Sequence, residues 1–527
     1  MMGRKKILLL SLLSVMALCI GWLELNGLPL LFALVPIFYL RTQYEKQPKG
    51  SKKLAKRLIL IFGVWNLITV WWVANASLLG AVAAVGIGTT LPTITFMVYN
   101  SVARRSSKFF SYSLFIVLWI YCEELFMNGQ LAFPWLMLGN GFSTSVWAVQ
   151  WYEYTGAFGG TLWVLLANIF IYEAICSPKD KIKRYSAIAI ALLPIALSLL
   201  IWITYKVPNQ KQALVHIVQP NLDPYTEKFT MSQDAQTQII LSLASQAPRD
   251  VDFIITPETA FDDRLWEGAL QRSSSMQVIR GSILENYPGA KFIAGATTLR
   301  RYYNKEQASH TARPINNTEF YYDAYNSALV VDSSQTIDVY HKNKLVVGVE
   351  RIPYFSLLKD VEFVSVTLGG MTGQLGYDEQ PNIFSSNKGM FATPICYESI
   401  YGEYFANLSA MGAELMLLIS NDGWWDETLG HIHLLNYARL RAIETRRAVA
   451  RSANTGISGV ISPRGDVLET LGWDQRGTIT ASVPMDSKVT FYARTGDFIV
   501  RISKLVLVLL IALMIGNYIR TKIKQKQ

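Results

Sequence analysis

Met390-Phe-Ala-Thr-Pro-Ile-Cys-Tyr-Glu398 is a short β-rich run that passes through a proline and delivers one thiol. A side chain at the end of a strand and the start of a turn is open to a reactant yet rigidly held. The chain has four cysteines, and of these only Cys396 lies in a stretch of ordinary globular composition; Cys19, Cys122 and Cys176 lie in or beside apolar runs. The globular region therefore cannot close an internal disulfide, and its lone thiol is weighed as a nucleophile. The thiolate is the reactive form, so a nucleophilic cysteine needs a base or a cation beside it. Lacking both, it reads equally as a small buried hydrophobe.

On either side of this run, short apolar strands alternate with helical patterns. Strand-like runs fall at 213–218, 253–256, 291–295, 327–331, 390–393 and 414–420, with helical periodicity at 232–247 and 401–411. An amphipathic helix is expected over 429–447, then strands at 448–453 and 458–462 joined through the turn signal Asn454-Thr-Gly456. Alternation of this kind predicts an α/β domain whose sheets are covered by helices.

Two further residues in this domain bear on the thiol. Glu258, in Ile254-Ile-Thr-Pro-Glu258, ends an apolar strand. Desolvation there raises a carboxyl and suits it to general-base work, although a first-turn helix acid reads the same way. Lys342, in Tyr340-His-Lys-Asn-Lys344, is either a cation for a thiolate and an oxyanion or half of a solvated pair with Lys344. His431-x-His433 does not suggest a metal, because positions i and i+2 of a helix do not face each other.

The rest of the chain is too apolar for a soluble protein. Of its 527 residues 51% are hydrophobic and 17% charged, and the long apolar runs occupy 1–205 and 503–519. A membrane span needs about 20 largely apolar residues. Eight candidates are expected, at 7–23, 26–40, 58–75, 79–101, 109–127, 160–177, 186–204 and 503–519, with a kink in the fourth at Pro92. The net charge of +10 does not point to nucleic acid, because the basic residues cluster between apolar runs. With eight spans the five basic clusters share one side, and 128–160, free of Lys and Arg, takes the other. Both termini are then cytoplasmic and the globular region lies outside the cytoplasmic membrane. The expected organisation is a seven-span domain over 1–205, a catalytic domain over 206–500, and an eighth span with a basic tail over 501–527. Glu123 and Glu124 sit near the outer end of the fifth span, where acids are functional suspects. No signal-peptidase site follows the first apolar run, and Leu18 before Cys19 argues against lipid attachment there.

Five ordered blocks resemble the nitrilase or carbon–nitrogen hydrolase superfamily. They are Pro257-Glu258, Tyr340-x-Lys342-x-x-Leu345, Ile395-Cys396-Tyr397-Glu398, Ser420-Asn-Asp-Gly-Trp-Trp425 and Ala438-Arg-Leu-Arg-Ala-Ile-Glu444. The resemblance implies an αββα sandwich and a Glu258–Lys342–Cys396 triad. Together with the spans, and with Phe133-Pro134-Trp135, the pattern is similar to the apolipoprotein N-acyltransferase family over nearly the whole chain. That likeness implies supporting or substrate-binding roles for Glu350, Tyr397, Glu398 and Trp424. There are departures: Leu345-Val-Val-Gly-Val-Glu350 replaces the family's Leu-Val-Pro-Phe-Gly-Glu, and the loop 219–229 lacks a tryptophan, leaving Tyr225 or Phe229 as substitutes.

The same resemblance implies a two-step acyl transfer needing no cofactor and no metal. A membrane phospholipid is the donor, and the diacylglyceryl-cysteine N-terminus of an apolipoprotein is the acceptor. The implied setting is a monomer in a bacterial inner membrane, with its catalytic domain periplasmic and an apolar lid near 352–375. The alternative is a membrane-anchored nitrilase-type amidase, which has no need of a seven-span platform.

Overall fold

The computed structural model describes residues 3–228, 230–334, 336–354 and 374–526. The chain divides into two compact units, one formed by 1–74, 78–204 and 495–527, the other by 75–77 and 205–494.

The first unit is helical. Leu78–Val102, Lys108–Asn128, Tyr152–Cys176, Lys181–Thr204 and Phe498–Gln525 are each long and apolar enough to cross a membrane. Three of the eight expected spans do not reach that standard among the described residues. Arg4–Ile20 is a helix of 17 residues. Gly50–Val70 opens with Lys52, Lys53, Lys56 and Arg57, which place charge in its first turns. The stretch expected at 26–40 is broken into a 3-10 turn, Leu28–Phe32, and a helix, Val35–Glu45, each opened by a proline. Broken helix in an apolar setting must satisfy its freed backbone groups internally. Asn168 does this here: its Oδ1 accepts from the Leu34 and Val35 N–H groups and its Nδ2 donates to the Leu30 carbonyl. Phe38 then packs among Phe96, Tyr99 and Phe115, with ring centroids 5.4–5.6 Å apart. The helix Tyr152–Cys176 is interrupted at Gly156, whose φ of 62° suits a residue without Cβ.

The second unit is built on two sheets. The first has the order β14-β1-β2-β4-β6-β5, with β3 beside β4 and β7 beside β6. Its strands are β1 Gln212–Gln219, β2 Phe253–Ile255, β3 Phe261–Trp266, β4 Lys291–Tyr302, β5 Arg313–Pro314, β6 Tyr321–Val331, β7 Ile337–His341 and β14 Gly477–Pro484. The second sheet has the order β13-β12-β11-β10-β9-β8. It comprises β8 Phe384–Ser386, β9 Gly389–Ala392, β10 Leu415–Ser420, β11 Ala448–Ala453, β12 Ser458–Ile461 and β13 Val467–Leu471.

The strands read from the sequence fall on these elements. The helices expected at 232–247, 401–411 and 429–447 are Gln233–Ala244, Gly402–Ala410 and Leu429–Thr445. The inner faces of the two sheets meet through Phe253 and Phe391, whose rings lie 4.9 Å apart. The outer face of the first sheet packs Ile254, Phe292 and Leu329 against Ile240, Ala244, Met276 and Ile279 from its helices. Burial of each such large side chain contributes about 1.5–3 kcal/mol. Leu429–Thr445 lies against β11 and β12 of the second sheet. The result is helix, sheet, sheet, helix, with several strands of each sheet ending at one place.

Candidate active site

Each of the three expected residues follows a strand. β2 ends at Ile255 and Thr256-Pro257 carries the chain to Glu258. β7 ends at His341, one residue before Lys342. β9 ends at Ala392, and Cys396 opens the 3-10 turn Cys396–Ile400. The Glu258 backbone crosses close over β4, where a Cβ on Gly295 would stand 2.0 Å from the Pro257 carbonyl oxygen. Only glycine permits that approach.

The structure brings Glu258, Lys342 and Glu350 into one buried web. Lys342, 1% exposed, donates from Nζ to Glu258 Oε1 and to Glu350 Oε1, both at 2.9 Å. Asn326, from the middle of β6, donates from Nδ2 to the same two oxygens at 2.6 and 2.9 Å. The other Glu258 oxygen accepts from the Asn421 N–H at 2.9 Å, and Glu350 Oε2 accepts from the Val346 N–H. Two carboxylates around one ammonium leave this cluster with net negative charge.

The charges respond accordingly. Burial alone would raise the Glu258 carboxyl, but Lys342, with bonds from Asn326 and Cys396, holds it below the ordinary glutamate value. Burial opposes the Lys342 charge, yet Glu258, Glu350 and Cys396 hold it well above the usual ammonium value. Burial pushes the Cys396 thiol well up, Glu258 adds to the effect, and Lys342 opposes it. The resting arrangement is therefore a neutral thiol beside an ionised carboxylate, which is the pairing a general base needs.

Cys396 is 5% exposed and has φ 49°, in the left-handed region. For a residue other than glycine this costs about 1–3 kcal/mol and persists only where the surroundings enforce it. Glu398 does much of the enforcing. Fully buried, it accepts from the Ile395 N–H at 2.7 Å, the Asn343 N–H at 2.6 Å, the Lys344 N–H at 3.2 Å and the Tyr340 hydroxyl at 2.5 Å. One carboxylate thus ties the turn bearing the thiol to the loop bearing the lysine. On the other side, Ile395 bridges to Ile419 in β10.

The remaining expected residues lie around this centre. Tyr397 is buried with its ring 5.6 Å from that of Tyr401. Trp424 is half-buried and meets Tyr225 edge to face, while the Tyr225 hydroxyl donates to the Trp424 carbonyl at 2.8 Å. Phe229 and residues 355–373 of the expected lid lie outside the described residues. His431 stacks on Trp473 and His433 on Tyr437. Among the described residues no three His, Cys, Asp or Glu side chains gather as a metal site. In the helical unit Glu123 accepts from Trp119 Nε1, the Leu138 N–H and the Thr161 hydroxyl. Glu124 pairs with Lys504 at 2.8 Å.

Three functional features escaped the sequence reading. Asn326 is one. Another is Arg451, fully buried in β11 and doubly bonded to Asp422 at 2.7 and 2.8 Å, which fixes the loop carrying Asn421. The third is Lys228, buried, which donates to the Thr259 hydroxyl next to Glu258. Burial brings this amine down to about 8, against the pull of Asp262 and Glu258. A usable signal existed for the first two, since each interrupts an apolar strand with a polar side chain that must find a partner.

Comparison with known proteins agrees with this geometry. The carbon–nitrogen hydrolase family model matches residues 303–490, which include Lys342 and Cys396. The model of the apolipoprotein N-acyltransferase N-terminal domain matches residues 10–170. An apolipoprotein N-acyltransferase of Bradyrhizobium diazoefficiens is 30% identical over 71% of this chain and 68% of its own. One from Chlorobaculum tepidum is 26% identical over 89% of this chain and 88% of its own. One from Rhodopseudomonas palustris is 29% identical over 70% and 68%.

Proposed function

Because this chain belongs to the apolipoprotein N-acyltransferase family, we propose that it N-acylates apolipoproteins through a thioester on Cys396. The chain is an acyltransferase with a carbon–nitrogen hydrolase domain. The donor is a membrane phospholipid and the acceptor is the α-amine of a diacylglyceryl-cysteine. The observation that carries this route is the buried Glu258–Lys342–Glu350 web beside a strained, protonated Cys396.

In the first step Glu258 takes the thiol proton as sulfur attacks the ester carbonyl of the phospholipid. Charge develops on the carbonyl oxygen, and the Lys342 ammonium supplies the counter-charge. The tetrahedral intermediate expels a lysophospholipid, whose departing oxygen takes the proton from Glu258. In the second step the lipoprotein amine attacks the thioester carbonyl, Glu258 accepts the amine proton, and the amide forms as the C–S bond breaks and the departing thiolate takes that proton back from Glu258. Glu350 holds Lys342, Glu398 holds the turn, and Tyr397 and Trp424 serve as substrate contacts. Because the ester supplies its own activation, no cofactor enters.

The organisation that suits these substrates is a bacterial inner-membrane protein with about eight spans, both termini cytoplasmic and residues 206–500 periplasmic. The three spans of this organisation beyond the five long apolar helices would fall on Arg4–Ile20, on the broken stretch made of Leu28–Phe32 and Val35–Glu45 together, and on Gly50–Val70. The protein acts as a monomer. The test is to incubate the full-length protein with phospholipid carrying a labelled acyl chain. Label retained on wild type and absent from Cys396→Ala, then moved to a diacylated lipopeptide, is the expected result. Label released only as free fatty acid, with lipopeptide present, would overturn the transferase route in favour of hydrolysis.

A further inference from the structure

Side chains alternate across a strand, so at the end of β7 His341 faces away from Lys342. It enters a second charge cluster that the acyl-transfer route does not use. His341 is 2% exposed. Its Nε2 lies 2.7 Å from Glu267 Oε1 and its Nδ1 2.8 Å from Asp378 Oδ2. Its ring stacks on Tyr325 at 4.0 Å. A carboxylate accepts and cannot donate, so an imidazole with one on each nitrogen carries both protons. Arg300, from β4, donates from Nε to Glu267 Oε2 at 2.9 Å, brings Nη1 to 3.7 Å from Asp378 Oδ1, and lies over the Tyr325 ring. Two cations and two carboxylates alternate in this cluster, and they come from four separate elements.

Asp378 matters because of what its segment touches. The Leu375 N–H donates to the Glu350 carbonyl at 2.8 Å and the Gly376 N–H to the Ala324 carbonyl at 2.9 Å. Gln374 Oε1 accepts from the Ile352 N–H at 3.0 Å. Segment 374–378 therefore joins the His341 cluster to the backbone that presents Glu350 to Lys342.

We propose that the His341 imidazolium is a positioning residue for acyl transfer: by gripping Asp378 it seats segment 374–378 against Glu350 and so fixes the Lys342–Glu350 pair. Its catalytic readout rests on the thioester route above. Burial lowers the imidazole, but Asp378 and Glu267 outweigh it and hold it above the ordinary histidine value. Glu267 is correspondingly brought down to about 2, and Asp378 is lowered. The sign follows: the tie is complete below the ordinary histidine value of about 6.5 and is lost as pH rises through the raised one.

The experiment uses the full-length protein in detergent–phospholipid micelles, as wild type, His341→Gln and Asp378→Asn. Two quantities are followed from about pH 5 to about pH 9.5, across the histidine range. One is hydrogen exchange of the peptide containing Leu375 and Gly376, corrected for intrinsic pH dependence. The other is the rate at which Cys396 acquires a labelled acyl chain. His341→Gln speeds exchange and slows acylation by roughly tenfold, as a displaced charge partner predicts. Wild type loses protection and rate together on the alkaline side. Asp378→Asn, at a half-exposed site that tolerates the change, moves that loss to lower pH. Unchanged exchange in His341→Gln overturns the proposal, as does an Asp378→Asn alkaline limb that coincides with that of wild type. Faster exchange at an unchanged acylation rate refutes the positioning role. Absence of label on wild type refutes the thioester route instead, and the exchange data judge the tie separately.

Discussion

Replacing Asn326 with leucine tests the charge web directly. The side chains are close in shape, and the bond from the Lys342 N–H to the Asn326 carbonyl at 2.8 Å is retained. What disappears is the Nδ2 donor shared between Glu258 at 2.6 Å and Glu350 at 2.9 Å. A hydrogen bond to an ionised group contributes about 1.5–3 kcal/mol, and about 1.4 kcal/mol corresponds to one pKa unit. Glu258 should therefore ionise about 1–2 pH units higher in the variant. Wild-type Glu258 titrates below 4.5, so the acid limb of Cys396 acylation lies below that pH. In Asn326→Leu the limb should move up by about 1–2 pH units on the acid side. The assay is single-turnover transfer of a labelled acyl chain to the full-length protein across this range, with a melting curve as a check on folding. A folded variant whose acid limb stays in place, or moves down, would show that Glu258 is not the base or that Asn326 does not hold it ionised.

Other changes probe neighbouring parts of the site. Lys342→Met removes the counter-charge and leaves Glu258 and Glu350 facing each other, so acylation should fall by about 10²–10³ and stability by about 3–5 kcal/mol; a rate within tenfold of wild type contradicts the role given to Lys342. Glu398→Gln turns an amide toward the Ile395, Asn343 and Lys344 N–H groups, so the melting temperature and the acylation rate should both drop. Glu267, brought from 4.5 to about 2, contributes about 3 kcal/mol that is present above pH 4.5 and lost as pH falls toward 2. Glu267→Gln should therefore narrow the melting-temperature gap between neutral and acid pH, and an unchanged gap counts against that contribution.

Much of the second unit was legible because its signals are local. β10, Leu415–Ser420, is buried at every position and reads as an uninterrupted apolar run. Cys396 and Glu258 stood out by their place at the ends of such runs, and Lys342 through its order between them in the family blocks. Asn326 did not, because its meaning depends on carboxylates 68 and 24 residues away in sequence. β14 was missed for a similar reason: Gly477–Pro484 is only partly buried, and its partner β1 lies at the other end of the unit. The reading of 26–40 as a span counted its apolar residues and passed over Pro29 and Pro36. Nothing nearby announces that Asn168 takes up the backbone groups left open at the break between the two helical pieces. The left-handed Cys396 was equally hidden, since no residue type in Ile395-Cys-Tyr-Glu398 demands it.

The pairing of β1 with β14 has a consequence for how the chain is assembled. Gln212 stands opposite Pro484, so the first and last strands of the second unit are antiparallel neighbours. Partners across such a ladder are only about 5 Å apart. A segment that leaves the helical part of the chain near 205 and returns near 495 thus begins and ends at one doorway. Apart from residues 75–77, the second unit is topologically a cassette, nearly 300 residues spliced into one connection between two helices. Domains with adjacent termini tolerate such splicing. A hydrolase-type fold is in this way carried within a membrane chain without either part having to be cut open for the other.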